Sequence, residues 1–249
     1  DILNAVGNHD CWKGHLVWAQ TDHPYDATVE EAYSIVMEGR RRKTPFIDSW
    51  GVVRPEGRCT WYHKDYDSLR LIVLDAIHFD SAQREWFERV LEEARLAGKP
   101  VAAVSHYQPQ GGLDKMESGF SSRMEDVRPV ADPGSAQMER LPDAAFSEVD
   151  AFVGRGGTFV CWLTGHTHLD MIGRVTGHPS QIMITVDKAG EKDVYMGEER
   201  IRGQKSQDSF NLVTIIPCRG IVTVDRVGCT RDEEGRSKTR FRFSYLTSE

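Results

Sequence analysis

"RLIVLDAIHFDSAQREWFERVLEEARLAGKPVAAVS" (residues 70–105) carries three elements in succession. "RLIVLD" (70–75) is rich in branched aliphatics and reads as a buried strand. Asp80 and Gln83 cap a helix that runs through Ala97. Its apolar stripe, Trp86, Phe87, Val90, Leu91 and Ala94, recurs at helical spacing, and Gly98 with Pro100 ends it. "VAAVS" (101–105) is the next strand. A strand, a helix and a strand with short joints predict a parallel pair with a right-handed crossover, hence an α/β fold.

The flanking sequence extends this unit in both directions. "ILNAV" (2–6) reads as a short buried strand, and residues 28–38 as a helix, with Thr28 and Glu31 as a capping box and Gly39 as its stop. Residues 44–63 mix Pro, Gly and aromatics and read as loop with short strands. Residues 108–134 read as a long loop, followed by a helix around 135–153 and a strand at 158–163. After residue 180, "IMITVD", "FNLVTII", "IVTVDRV" and "RFRFSY" predict a mostly antiparallel sheet, with turns at Pro217 to Gly220 and around Gly235. The expected architecture is one α/β domain over residues 1–249 with a β-rich C-terminal half packed onto it.

Composition excludes several classes. The 249 residues are 39% hydrophobic and 28% charged, a globular balance instead of a disordered or fibrous one. A net charge of −7 supplies no basic field for nucleic acid, and Arg40-Arg41-Arg42-Lys43 reads as a solvated helix end. Five scattered cysteines without a CxxC pair argue against a disulfide framework or a cysteine zinc site. They make a cytoplasmic location the default expectation, and Cys161 reads as a small buried hydrophobe. No run of apolar residues is long enough for a membrane helix.

Three strands end in polar, metal-competent sequence: "AVGNHD" (5–10), "VSHYQP" (104–109) and "LTGHTH" (163–168). Ligand sites in open α/β sheets lie beyond the carboxyl ends of the strands, so the three ends should meet on one rim. His166 and His168, two apart in an extended segment, point to one side and can serve one metal cluster. "GNHD", "SH" and "GHTH" in this order resemble the last three signature blocks of the calcineurin-like metallophosphoesterases, a match that spans residues 5 to 168.

That resemblance implies a fold, an activity and a set of roles. The fold would be a sandwich of two mixed β-sheets flanked by helices. The activity would be hydrolysis of a phosphoester of unspecified class, with two divalent ions (Mn, Fe or Zn) supplying a bridging hydroxide for in-line attack on phosphorus. Asn8, His106 and His166 would hold one metal and His168 the other. His9 would aid the leaving oxygen, and Asp10 would orient the loop or an imidazole. His15 and Tyr107 are candidates to line the substrate pocket, as is Gln108. The loop 108–134 is a candidate specificity element.

The family's first two blocks, Asp-x-His and Gly-Asp-x-x-Asp, are absent from these residues, and no Gly-Asp dipeptide occurs. Asp22-His23 and Asp75-Ala-Ile-His78 are the nearest approximations, and neither has the right spacing. The expectation is that the first strand–helix–strand unit lies ahead of residue 1 and that the metal site of this piece is incomplete.

Two other readings compete. "HTHLDMIG" resembles the metallo-β-lactamase-type motif, but Met171 stands where that pattern has a histidine, and only His178 remains downstream as a further imidazole. A non-catalytic protein that kept the fold and lost its metals would explain the missing blocks, but not the retention of Asn8, His9, His106, His166 and His168. Asp75 and His78 are expected to be structural. His23, His63 and His178 have no context that assigns them a role.

Overall fold

A computed structural model of the chain describes residues 5, 51–55, 59–107, 113–115, 141–165, 171–186, 209–228 and 240–246. The strands are β1 (Tyr62–Tyr66), β2 (Leu69–Val73), β3 (Val101–Val104), β4 (Leu113–Lys115), β5 (Phe159–Thr164), β6 (Met171–Val175), β7 (His178–Thr185), β8 (Ser209–Ile216), β9 (Ile221–Gly228) and β10 (Arg240–Ser244). Two helices accompany them, α1 (Ser81–Leu96) and α2 (Asp143–Gly154).

The first seven strands form one mixed sheet in the order β1-β2-β3-β5-β7-β6-β4. Its centre, β2, β3, β5 and β7, is parallel, and β1, β6 and β4 complete it through antiparallel pairings. The connections from β2 to β3 and from β3 to β5 carry α1 and α2, the crossovers that these parallel pairs require, while β5 reaches its parallel neighbour β7 through β6. Helix α1 starts at Asp80, whose carboxylate accepts the N–H of Gln83 at 2.9 Å. The expected stripe of Trp86, Phe87, Val90, Leu91 and Ala94 is buried in full.

Both helices cover one face of this sheet, and their core joins Phe87, Leu91, Phe146 and Phe152 to Ile72, Ala103 and Trp162. The other face carries Ala102, Val160, Cys161, Ile172, Ile182 and Ile184, packed against Val222, Val224 and Phe243 of a second, three-stranded sheet in the order β10-β9-β8. The described chain is therefore mixed α/β in three layers: helices, large sheet, small sheet. Burying one apolar face of each layer drives this stacking.

Three expectations need correction among the described residues. The second sheet is antiparallel throughout its described strands, so it is not mixed. The described helices lie on one face of the large sheet and the small sheet on the other, which is compatible with a sandwich. "IMITVD" does not open the antiparallel sheet: β7 enters the large sheet beside β5, in parallel. Its run Gln181 to Thr185 is buried continuously, as suits a strand covered on both faces. The loop expected over 108–134 contains β4, which pairs with β6 at the sheet's edge. No helix among the described residues is long and apolar enough to cross a membrane.

Candidate functional site

The parallel strands β2, β3 and β5 end on the same side of the large sheet, and a ladder of backbone hydrogen bonds continues past their ends. Leu74 N–H donates to Val104 O at 2.9 Å, Ser105 N–H to Leu163 O at 3.0 Å, and Gly165 N–H to His106 O at 3.2 Å. The registers Val73↔Val104 and Val104↔Leu163 set the alignment. Asp75, His106 and Gly165 follow two residues later in this row of strand ends, though Asp75 N–H and C=O bond to the Gln83 amide instead of to β3. The carboxyl ends that carry "SH" and "TGH" are thus neighbours through a direct hydrogen bond.

Asp75 organises the β2 end of this row. It is wholly buried, and its two oxygens accept four hydrogen bonds. Oδ1 takes the N–H groups of Ile77 and His78 at 3.0 and 3.1 Å. Oδ2 takes the Thr60 hydroxyl and the His78 ring nitrogen Nδ1, the latter at 2.7 Å. A buried carboxylate survives only with such compensation. Gln83 braces the same turn: its Oε1 accepts from Asp75 N–H at 2.8 Å, and its Nε2 donates to Asp75 O at 3.0 Å and His78 O at 3.2 Å. Asp80 alone caps α1 by side chain. Gln83, expected to share that task, instead fastens the helix to the end of β2.

His106 and Tyr107 are the sequence-predicted site residues that the structure describes. Their rings lie 5.2 Å apart between centroids, tilted by 54°. Tyr107, a candidate to line the substrate pocket, is fully buried in the core cluster that the helices share with the large sheet. Asn8, His9, Asp10, His15, Gln108, His166, His168 and Asp170 lie outside the described residues, as do His23 and the helix expected at 28–38.

Two histidines that the sequence left without a role have defined surroundings. His63 is 4% exposed, and burial with the nearby Arg70 charge pulls its pKa down to about 4, so it is a neutral core residue at pH 7. His178 is buried between two carboxylates of α2. Its Nδ1 lies 2.5 Å from Asp150 and its Nε2 3.0 Å from Asp143. Burial pulls its pKa down, but the hydrogen bonds to Asp143 and Asp150 outweigh that and raise it above the ordinary histidine value. Asp150 also accepts from Ser180 and Gln181. The partners lie 28 and 35 residues away, which is why local sequence gave no sign of them.

Cys161, expected as a buried hydrophobe, is completely buried, and burial pushes its thiol up to about 12. Among the described residues, no group of three or more His, Cys, Asp and Glu side chains forms a metal-holding cluster. A scan against protein-family models found no match, and no curated protein matches the chain.

Proposed function

We propose that this chain is a metal-dependent phosphoester hydrolase of the calcineurin-like type, with its site at the carboxyl rim of β3 and β5. The observation that supports this most is the hydrogen bond from Gly165 N–H to His106 O. It makes neighbours of two blocks 60 residues apart whose residue types suit a divalent metal, at the carboxyl ends of parallel strands in a mixed α/β fold, where open sheets place their ligand sites. The donor chemistry fits: imidazole from His106, His166 and His168 with the amide oxygen of Asn8 suits Mn, Fe or Zn better than Ca.

In this reading Asn8, His106 and His166 hold one ion and His168 the second. When bound, the ions acidify water and neutralise charge on the phosphoryl oxygens. His9 donates a proton to the leaving oxygen, and Tyr107 packs beside the His106 ring. Asp10 orients the loop that carries Asn8 and His9, while His15 and Gln108 face the substrate. The class of phosphoester stays open on this chemistry.

The test is hydrolysis of p-nitrophenyl phosphate and bis-p-nitrophenyl phosphate in Mn²⁺, Fe²⁺ or Zn²⁺, with metal-free protein as control. Activity that needs the metal supports the proposal. The His106→Ala variant should then lose more than the about 10- to 100-fold typical of removing an outer partner of a metal ligand. A folded chain that binds none of these ions overturns the reading, whereas binding without turnover is what the absence of the Asp-x-His and Gly-Asp-x-x-Asp blocks from these residues predicts.

A further inference from the structure

His63 ties the outer strand of the large sheet in two directions. Strand β1 closes one end of that sheet. The main chain of His63 bonds outward to Val53, donating to Val53 O at 2.8 Å and accepting from Val53 N–H at 2.7 Å. This isolated bridge, two hydrogen bonds in all, holds residues 51–55 on the sheet edge. The ring of His63 is buried against α1, with its centroid 6.2 Å from that of Trp86. Its Nδ1 is buried and has no hydrogen-bond partner among the described residues.

The acids whose charge reaches this ring are already engaged. Asp65, two residues along β1, accepts from Arg70 Nε at 2.6 Å and Nη2 at 2.9 Å, and Lys99 Nζ lies 3.3 Å from it. Glu93 of α1 accepts from Arg89 at 3.0 Å and lies 3.4 Å from Arg70 Nη1. Arg70 and Arg89 themselves oppose a positive charge on the ring, and residues 51–55 add Arg54 and no carboxylate. Burial first, and then the Arg70 charge, hold the His63 pKa at about 4, against about 6.5 in an exposed chain. A histidine with a lowered pKa takes up its proton more readily once its surroundings open, so acid favours opening between those two values. The smallest opening that wets the ring is at the sheet edge, where one strand pairing and the Val53 bridge are lost while the other strands stay paired. We propose that His63 is an acid-sensitive latch, whose protonation releases β1 and the 51–55 segment from α1 and β2 and leaves the rest of the large sheet in place. The latch is independent of the phosphoesterase reading.

The experiment is amide hydrogen exchange on the whole chain at pH 7 and pH 5, read as protection factors so that the intrinsic pH dependence of exchange cancels. Protection of the Val53 and His63 amides should fall on the order of 20-fold, the ratio that a pKa of about 4 closed and about 6.5 open gives over that range. Amides of β3 and β5 should keep their protection. His63→Gln, which cannot take up the proton, should show no such fall. Unchanged wild-type protection at Val53 and His63, or an equal fall in the variant, overturns the latch. A parallel loss in β3 and β5 overturns it too, because His63 would then act on the whole fold. If His63→Gln does not fold, the ring ¹⁵N shifts of the unmodified chain decide. A His63 titration midpoint well below 6.5 supports the latch, and one at 6.5 or above overturns it.

Discussion

Asp150 Oδ2 lies 2.5 Å from His178 Nδ1 and joins the middle of α2 to the first residue of β7. On the far side of the ring, Asp143 of the first helical turn is 3.0 Å from Nε2. Ionised carboxylates only accept, so both contacts are satisfied together only by the imidazolium. The raised pKa of His178 fixes the sign of the pH effect. Its contribution is present in full below the unfolded value near 6.5 and is lost as pH rises through the higher folded value. Because Asp143 and Asp150 are well exposed, the amount is on the order of 1 kcal/mol. Urea denaturation of wild type from pH 6 to 9 should show this decline, and His178→Gln should remove it.

Asp75→Ala should be among the most damaging single changes in the described chain. It strands the Thr60 hydroxyl, the His78 ring and two backbone N–H groups in a buried turn. Losses of about 3 kcal/mol or more are expected for a buried charged acceptor. A urea midpoint within 0.5 kcal/mol of wild type, on the order of a surface substitution, would contradict the bonding described here.

Thiol reactivity should separate by position. Cys161 is sealed between the two sheets with its thiol pushed up to about 12, whereas Cys218 is exposed in the turn between β8 and β9. Brief treatment of native protein with a maleimide, followed by peptide mapping, should find Cys218 modified and Cys161 untouched. Unfolding in urea should expose Cys161 to the same reagent.

The turn after α2 offers a matched pair of glycines. A Cβ on Gly157 would sit 2.3 Å from the Phe152 ring, which is fully buried and has nowhere to go, while a Cβ on Gly154 meets nothing within 4 Å. Gly157→Ala should cost about 1–3 kcal/mol through overpacking. Gly154→Ala, at the last residue of the helix, should be neutral or stabilising by up to about 1 kcal/mol. Equal effects in thermal melts would mean that the Phe152 ring can move aside.

Much of this architecture is legible along the chain, and what is not follows a pattern. The 70–105 unit could be read because its signals are local: a run of branched aliphatics, a 3.6-residue stripe, an Asp cap and a Gly-Lys-Pro stop. Strand β6, "MIGRV", could not. Its Gly173 weakens any strand pattern, and its place is set by β7 on one side and β4 on the other. The assignment of β7 to the wrong sheet has the same origin, since partner choice depends on chain far away. At the rim, Ser105-His106 and Gly165 lie at the adjacent ends of β3 and β5, as their strand-end positions in the sequence implied, while Gly7 to Asp10 and His166 to His168 lie outside the described residues. The use of Gln83 was hidden, because a Gln three residues after Asp80 matches a helix cap as well as it matches a brace.

The ends of β2, β3 and β5 are held side by side by main-chain hydrogen bonds from Leu74, Ser105 and Gly165, and those bonds do not depend on which side chains the strand ends carry. The rim therefore behaves as a rack with fixed pitch, one socket per strand. Exchanging a residue in a socket changes the chemistry on offer without moving its neighbours. Substitution at the strand ends should therefore come at little expense to folding, except at Asp75, which is part of the scaffold itself.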